Sequence, residues 1–249
     1  MNVRVEDRDE VRVLRLDRPP VNALDVETLN ELSDALDAAI DSGSVRAAVL
    51  TGTGKVMSAG ADLVKVLEGD GRYIDAGIDA LTRAFRTLFT FPKPVVAAIN
   101  GHALAGGAVL ACGCDHRVMG TSGRIGTIEL AAGVPFPAWA LELVRHAVPN
   151  GHFEEVVYFG RSYEAGAALE RGLIDEIATG DVVVDLALER ARELARVPAT
   201  TYALTKRSAR AATVTAAEAL TRWDDEVKAA WRSDEVRDAV RRQIEALQR

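Results

Sequence analysis

The stretch AINGHALAGGAVLACGCDHR, residues 98–117, carries the pattern that decides the fold. Asn100-Gly101 predicts a tight turn after an apolar strand, and Gly106-Gly107 open a run of small residues that predicts a closely packed helix over residues 106–112. The beginning of this helix contains neither an acid nor a base. Because the first N–H groups of a helix have no intrahelical partner, the reactive group offered here is the backbone itself.

Strand and helix patterns alternate on the N-terminal side of this stretch. The alternating valines of residues 3–16 predict a hairpin, and Asp25 is a predicted N-cap for a helix with an apolar face. Residues 45–51 read as a buried strand and residues 72–90 as an amphipathic helix. This alternation predicts an α/β fold.

The C-terminal part of the chain has a different character. Ser162 is predicted to cap a helix that ends near residues 171–172, and residues 173–177 form the last predicted strand. The remainder reads almost entirely as helix. We therefore predict a core of residues 1–195 followed by a helical region of residues 196–249.

Composition excludes several classes of function. The net charge of −7 argues against a nucleic-acid partner, which requires a basic face. The longest apolar stretch is interrupted by Asn100 and Gly101, so we expect no membrane span and a cytoplasmic protein. Cys112, Cys114 and His116 have no second cluster of ligands elsewhere in the chain, and no metal is expected.

Two loops are built to expose backbone N–H groups. SAGAD, residues 58–62, precedes a predicted helix, and AGG, residues 105–107, opens another. Two donors on separate loops would form an oxyanion hole, which stabilises negative charge on a carbonyl oxygen. Taken one at a time, each motif is more typical of tight packing around glycine than of an oxyanion hole.

The motifs together resemble the crotonase superfamily, the enoyl-CoA hydratase/isomerase family. The resemblance runs through RPPVNAL (18–24), SAGADL (58–63), KPVVAAINGHALAGGAVLACGCD (93–115), IGTIELAAGV (125–134) and EAGAALERGLIDEI (164–177). It implies a spiral of ββα units, a helical C-terminal trimerisation region and an acyl-CoA thioester substrate. A homotrimer or dimer of trimers is then expected, with no cofactor apart from the coenzyme A of the substrate.

The same resemblance implies roles for individual residues. The oxyanion donors would be the N–H groups of Ala61 and Gly106. The substrate-binding residues would be Val21, Ala23, Ser58, Ala59, Gly60, Asp62, Leu63, Gly107, Val109 and Ile128. Lys65 and Lys206 are either contacts to coenzyme A or solvated surface lysines. His102 is expected to be a structural histidine, with a place in the lining of the site as the alternative.

The reaction depends on the carboxylates near the thioester. Hydratases of this family use two glutamates, but the first position is Val109 here and only the second, Glu129, is kept. The resemblance therefore favours a Δ3,Δ2-enoyl-CoA isomerase, in which Glu129 moves one proton. Its apolar neighbours Ile128, Leu130 and Ala131 predict a raised pKa, which suits a group that acts as base and then as acid.

Three alternatives remain open at this level. Glu129 is also a plausible helix N-cap on the surface. A hydratase, or another lyase or hydrolase of the same fold, would place its second polar group elsewhere. A catalytically silent coenzyme A-binding protein would keep the oxyanion hole without turnover.

Overall fold

The computed structural model of the chain describes residues 1–179 and 182–247. The strands are β1 Val3–Arg8, β2 Val11–Leu16, β3 Ala47–Gly52, β4 Val56–Ser58, β5 Val95–Ile99, β6 His102–Leu104, β7 His116–Gly120, β8 Ile125–Gly126 and β9 Glu176–Ala178. The helices are α1 Val26–Asp41, α2 Leu63–Glu68, α3 Gly71–Thr90, α4 Gly106–Gly113, α5 Ala138–Ala147, α6 Asn150–Tyr158, α7 Ala165–Glu170, α8 Val183–Ala195, α9 Ala199–Leu220, α10 Asp224–Arg232 and α11 Asp234–Leu247. A 3-10 turn, Thr221–Trp223, joins α9 to α10.

The strands form two sheets that are wound together. The larger sheet has the order β1-β2-β3-β5-β7-β9, and the smaller has the order β4-β6-β8. The β1-β2 hairpin is antiparallel, and the other pairings are parallel. Each of the pairs β3-β4, β5-β6 and β7-β8 gives its first strand to the large sheet and its second to the small one. This arrangement confirms the predicted spiral of ββα units.

Glycine permits the stacked corners of the spiral to approach each other. A Cβ atom at Gly101 would lie 1.8 Å from the carbonyl oxygen of Lys55, and one at Gly123 would lie 2.1 Å from the carbonyl oxygen of Gly101. Both separations are far inside van der Waals contact. Corners of successive turns therefore pack backbone against backbone, which explains the Asn-Gly turn seen in the sequence.

The apolar core lies mainly between the large sheet and the helices that cover one of its faces. Helices α1, α3, α4 and α5 contribute to this cluster, and α8 covers the opposite face of the sheet. Helix α1 begins as predicted, because the Asp25 carboxylate accepts a hydrogen bond of 2.8 Å from the Thr28 N–H.

The C-terminal helices α10 and α11 pack on the spiral of their own chain. Trp231, Val236 and Val240 belong to the same apolar cluster as the spiral. Arg237 donates a hydrogen bond of 2.6 Å to the carbonyl oxygen of Leu67, at the end of α2. These contacts bury part of α10 and α11 within the single chain, and trimerisation through the C-terminal region stays a prediction.

Two local predictions need correction. Ser162 caps no helix; α7 begins at residue 165, and the Ser162 hydroxyl accepts a hydrogen bond from Arg124 instead. The last strand spans only residues 176–178, because the chain is still turning at residues 171–175. Helices α5 and α6 were not predicted.

Within the described residues, no helix is long and apolar enough to cross a membrane.

Candidate active site

A cavity of about 450 Å³ lies between the small sheet, α3, residues 128–140 and the C-terminal helices. Its wall is almost wholly apolar, and the polar side chains among the described lining residues are His102, Glu129 and Gln243. The lining residues are Val21, Val56, Ala59, Ala61, Leu63, Leu81, Phe85, His102, Leu104, Ala105, Gly106, Ile128, Glu129, Ala132, Val134, Pro135, Pro137, Ala140, Trp231 and Gln243.

Ala61 presents a backbone N–H that has no partner among the described residues. The Leu24 N–H donates to the carbonyl oxygen of Gly60 (2.8 Å), and the Asp62 N–H donates to that of Leu24 (3.1 Å). These two bonds form a parallel bridge, in which backbone groups alternate in direction, so the Ala61 N–H points away from Leu24. No described residue accepts a hydrogen bond from it.

Gly106 presents a second unpartnered N–H at the start of α4. The preceding residue, Ala105, has φ 49° and ψ −125°, a conformation that L-residues rarely adopt. Its own N–H donates to the carbonyl oxygen of Gly126 (2.9 Å), which fixes the bend before the helix. As the first residue of α4, Gly106 has no intrahelical acceptor, and no described residue accepts its N–H.

The two donor loops touch each other through glycine. Gly60 has φ +88°, and a Cβ atom there would lie 2.7 Å from the Cβ atom of Ala105 and 3.1 Å from the nitrogen of Gly106. Any side chain at residue 60 would therefore push the two loops apart. The close approach holds the Ala61 and Gly106 donors on neighbouring positions of the cavity wall, an arrangement suited to binding one oxygen between them.

Glu129 is a buried carboxyl in this apolar wall. The residue is 8% exposed, and its Oε2 atom has no hydrogen-bond partner among the described residues. Burial away from water raises the pKa of Glu129 to about 8, and a hydrogen bond from its own backbone N–H opposes this by a smaller amount. The predicted raised pKa is confirmed. The alternative of a surface helix cap is wrong, because residues 129–133 form turns and the carboxyl is buried.

The turn that carries Glu129 is anchored on both sides. The buried Thr127 hydroxyl donates to the carbonyl oxygen of Val156 in α6 (3.0 Å). Beyond the turn, the Val134 N–H donates to the carbonyl oxygen of Glu129 (3.0 Å). These backbone and hydroxyl contacts hold the turn in place and leave the Oε2 atom of Glu129 without a partner among the described residues.

The cavity brings together part of the predicted site. All three predicted catalytic residues, Ala61, Gly106 and Glu129, line it, as do four of the predicted substrate contacts: Val21, Ala59, Leu63 and Ile128. The other six predicted contacts lie outside its wall: Ala23, Ser58, Gly60, Asp62, Gly107 and Val109.

Several of those six residues lie beneath the cavity wall and support the loops that form it. The Ser58 hydroxyl is buried, donates to the carbonyl oxygen of Asn22 (2.8 Å) and accepts from the Gly60 N–H (3.1 Å). A Cβ atom at Gly107 would lie 2.4 Å from the carbonyl oxygen of Ser58, so this glycine is needed for packing. Val109 is fully buried in the core cluster.

Asp62 and Lys65 belong to an ion-pair network beside the loop that carries Ala61. Asp62 caps α2 by accepting from the Lys65 N–H (3.0 Å), and its carboxylate pairs with Arg18 (2.6 Å). The Lys65 ammonium contacts Asp25 (2.5 Å), and this pairing raises the pKa of Lys65. The network ties the RPPVNAL segment to α2.

Lys206 is neither a solvated lysine nor a residue of the cavity wall. Its ammonium is buried and contacts the Asp115 carboxylate (2.7 Å) and the carbonyl oxygen of Lys93 (3.1 Å). Arg210 contacts the other oxygen of Asp115 (2.9 Å). Burial lowers the pKa of Lys206 to about 8 despite this pairing. The explanation as a solvated surface lysine is therefore wrong, and a contact of Lys206 to coenzyme A stays a prediction.

Several wall residues were not predicted. His102 was expected to be structural, yet it lines the cavity. Leu81 and Phe85 come from α3, while Trp231 and Gln243 come from α10 and α11, far away in sequence. The amphipathic patterns predict that these helices pack on something, but periodicity does not identify what they cover. Among the described residues, no group of three or more His, Cys, Asp or Glu side chains could hold a metal ion.

Comparison with known proteins places this geometry in context. The sequence model of the enoyl-CoA hydratase/isomerase family matches residues 6–248. A putative enoyl-CoA hydratase of Thermus thermophilus is 39% identical over 204 residues, which cover 80% of this chain and 80% of that protein.

Solved structures show the same likeness. A probable enoyl-CoA hydratase, EchA3, from Mycobacterium tuberculosis superposes with a TM-score of 0.83 at 35% identity, covering 91% of this chain and 95% of that one. Human mitochondrial Δ3-Δ2-enoyl-CoA isomerase superposes with a TM-score of 0.92 at 26% identity, covering 100% of this chain and 98% of that one.

Proposed function

This chain belongs to the enoyl-CoA hydratase/isomerase family, and we propose that within this family it acts as a Δ3,Δ2-enoyl-CoA isomerase. One observation carries the proposal. Glu129 is the sole carboxyl among the described lining residues, and it is buried opposite an apolar wall with one oxygen unpartnered. A reaction that moves one proton between two carbons of the same substrate requires one such group.

The first step is removal of a proton from C2 of a 3-enoyl-CoA. The thioester oxygen would accept hydrogen bonds from the N–H groups of Ala61 and Gly106. The Glu129 carboxylate takes the C2 proton, and the electron pair of the broken C–H bond moves toward the thioester oxygen. The negative charge that develops there is stabilised by two fixed donors in a site of low polarity.

The second step returns the same proton to C4. The Glu129 carboxylic acid donates it, the C3–C4 double bond becomes a single bond, and a C2–C3 double bond forms in conjugation with the thioester. Glu129 ends as a carboxylate, so atoms and charge balance over the cycle. A pKa of about 8 matches both halves of this task, because the group is a better base than an ordinary glutamate and still a usable acid.

Hydration is the competing reaction, since the Thermus relative is named as a hydratase. Adding water to a 2-enoyl-CoA requires that a water molecule be held and deprotonated while a proton reaches C2. An ordered water needs several polar partners. The described wall offers Glu129 but no second carboxyl, and Val109 fills its position with buried hydrocarbon. These features favour isomerisation.

Proton NMR of the purified protein with each substrate tests the proposal. We expect conversion of 3-enoyl-CoA to 2-enoyl-CoA, and little 3-hydroxyacyl-CoA from 2-enoyl-CoA. Fast hydration without double-bond migration would replace the isomerase with a hydratase. Binding of acyl-CoA with neither reaction would favour the catalytically silent alternative.

Two further expectations belong to this proposal. A homotrimer or dimer of trimers would cover apolar side chains that are exposed in the single chain, such as Tyr158 and Phe159. Light scattering during gel filtration measures the assembly.

A cytoplasmic location agrees with Cys112 and Cys114, which are both unpaired thiols, and fractionation of cells tests it.

A further inference from the structure

We propose that Trp231 sets the upper limit on the length of the acyl chain that the cavity accepts. The inference rests on the proposed function in one respect, that the substrate is an acyl-CoA. It concerns a wall of the cavity rather than the chemistry at Glu129.

Trp231 separates the main cavity from a second, smaller one. The smaller cavity, of about 30 Å³, lies between α1 and α3. Three residues line both spaces: Ala61, Leu81 and Trp231. Trp231 has by far the largest side chain of the three. Replacing its indole with a smaller group would therefore join the two spaces.

The indole is held firmly in this position. Trp231 is 5% exposed, and its Nε1–H donates a hydrogen bond of 3.1 Å to the carbonyl oxygen of Pro135. Ion pairs fix α10 against α3 on either side, since Lys228 contacts Asp79 (2.6 Å) and Arg232 contacts Asp75 (2.6 Å). The Trp231 indole, called the partition below, is consequently a fixed part of the cavity wall.

The space behind the partition suits an aliphatic chain. Most of its lining is hydrocarbon from α1 and α3, including Leu29, Ile74 and Ile78. Two carboxylates, Asp25 and Asp62, also border it, but both are engaged by Arg18. An acyl tail that entered this space would exchange water for apolar contacts.

The experiment compares Trp231→Leu with the wild type on two series of ligands. One series is 3-enoyl-CoA substrates of increasing length, for which kcat/KM is measured. The other is saturated acyl-CoAs of the same lengths, for which Kd is measured by calorimetry. Trp223→Leu is the matched control, because Trp223 is half-exposed on the 3-10 turn and does not line either cavity.

We expect the wild type to show a sharp fall in kcat/KM and affinity beyond a limiting length. Trp231→Leu should move that limit by at least two carbons, with a gain of at least about tenfold at the first length that the wild type rejects, since one methylene in a tight pocket is worth about 10–200-fold. Trp223→Leu should leave the limit unchanged. Trp231→Phe, which loses the bond to Pro135 but keeps a ring, should move the limit less.

The two series separate this inference from the proposed function. If the protein moves no double bond but the acyl-CoA affinities shift as described, the isomerase is wrong and the partition stands. If the limit is the same in the wild type and in Trp231→Leu, the partition is wrong. Leu81→Ala opens the same wall from α3, so if Trp231→Leu fails to fold, an unchanged limit in Leu81→Ala overturns the inference.

Discussion

Replacing Glu129 with glutamine should make the protein more stable at high pH while abolishing turnover. The ordinary pKa of a glutamate is 4.5, and burial raises that of Glu129 to about 8. Between these values the unfolded chain releases the proton and the folded protein retains it, so ionisation favours the unfolded state. The group costs nothing below pH 4.5, and the loss of stability grows until the pH passes about 8.

The size of the effect follows from the shift of about 3.5 units. Each unit corresponds to about 1.4 kcal/mol, so the full cost at high pH is about 5 kcal/mol. Roughly 2 kcal/mol of this has accumulated at pH 6 and nearly all of it at pH 9. Glutamine has the same shape and does not ionise. The stability of Glu129→Gln relative to the wild type should therefore rise by about 2–3 kcal/mol between pH 6 and pH 9.

Urea denaturation at pH 6, 7, 8 and 9 measures this difference directly. A constant offset between the two proteins is expected from the new amide, and only its change with pH reports on the carboxyl. Glu142→Gln is a suitable control, because Glu142 is also buried but pairs with Arg145 (2.9 Å) and does not line the cavity. A pH-independent difference for Glu129→Gln would refute the account of a buried, unpartnered carboxyl. Turnover at the level of the wild type would refute its assignment as the base, a role usually worth about a hundredfold or more.

The remaining predictions concern the base, the oxyanion donors and the buried ion pair. Because Glu129 must begin as a carboxylate, kcat/KM should rise with pH to a plateau with an apparent pKa near 8; a plateau that already extends below pH 6 would contradict this. Gly106→Pro removes a donor N–H and should reduce kcat by about 10²–10³-fold. Gly106→Ala keeps the N–H, and its added Cβ atom would have the Leu24 side chain as its nearest neighbour, at 3.1 Å, so equal losses of kcat in the two variants would count against the backbone donor. Asp115→Asn leaves the buried cations of Lys206 and Arg210 without their anion and should lower the free energy of unfolding by about 3–5 kcal/mol. Lys206→Met should leave the Kd for coenzyme A unchanged, and weaker binding of coenzyme A by this variant would place Lys206 in the binding site.

The parts of the fold that local chemistry dictates were predictable from the sequence. Asp25 predicts the start of α1, and the apolar run and Asn-Gly turn of residues 95–101 predict β5 and the corner after it. Each signal is complete within a few residues. The spiral itself came from family resemblance, because the assignment of paired strands to two different sheets depends on contacts between distant turns.

The environment of a site residue could be predicted where it depends on neighbours in sequence, but not where it depends on distant residues. Glu129 has apolar neighbours in sequence, and these predicted its raised pKa. Lys206 was expected to contact coenzyme A or to be a solvated surface lysine, because lysine is rarely buried. The Asp115 carboxylate that pairs with it in the interior lies 91 positions away in sequence. The positions of Trp231 and Gln243 in the cavity wall were not predicted for the same reason. An amphipathic pattern indicates that one face of a helix is buried, but it does not identify the residues on which that face packs.

The placement of α10 and α11 over the cavity has a consequence for how the protein becomes active during synthesis. Both donor loops and the Glu129 turn lie in the first 134 residues, and translation supplies them early. The wall formed by Trp231 and Gln243 follows only after α8 and α9 have been made. A nascent chain can thus form its sheets and its oxyanion loops while the acyl cavity still stands open to water on one side. Exclusion of water strengthens hydrogen bonds from the two N–H donors and raises the pKa of Glu129, and in this chain it depends on α10 and α11.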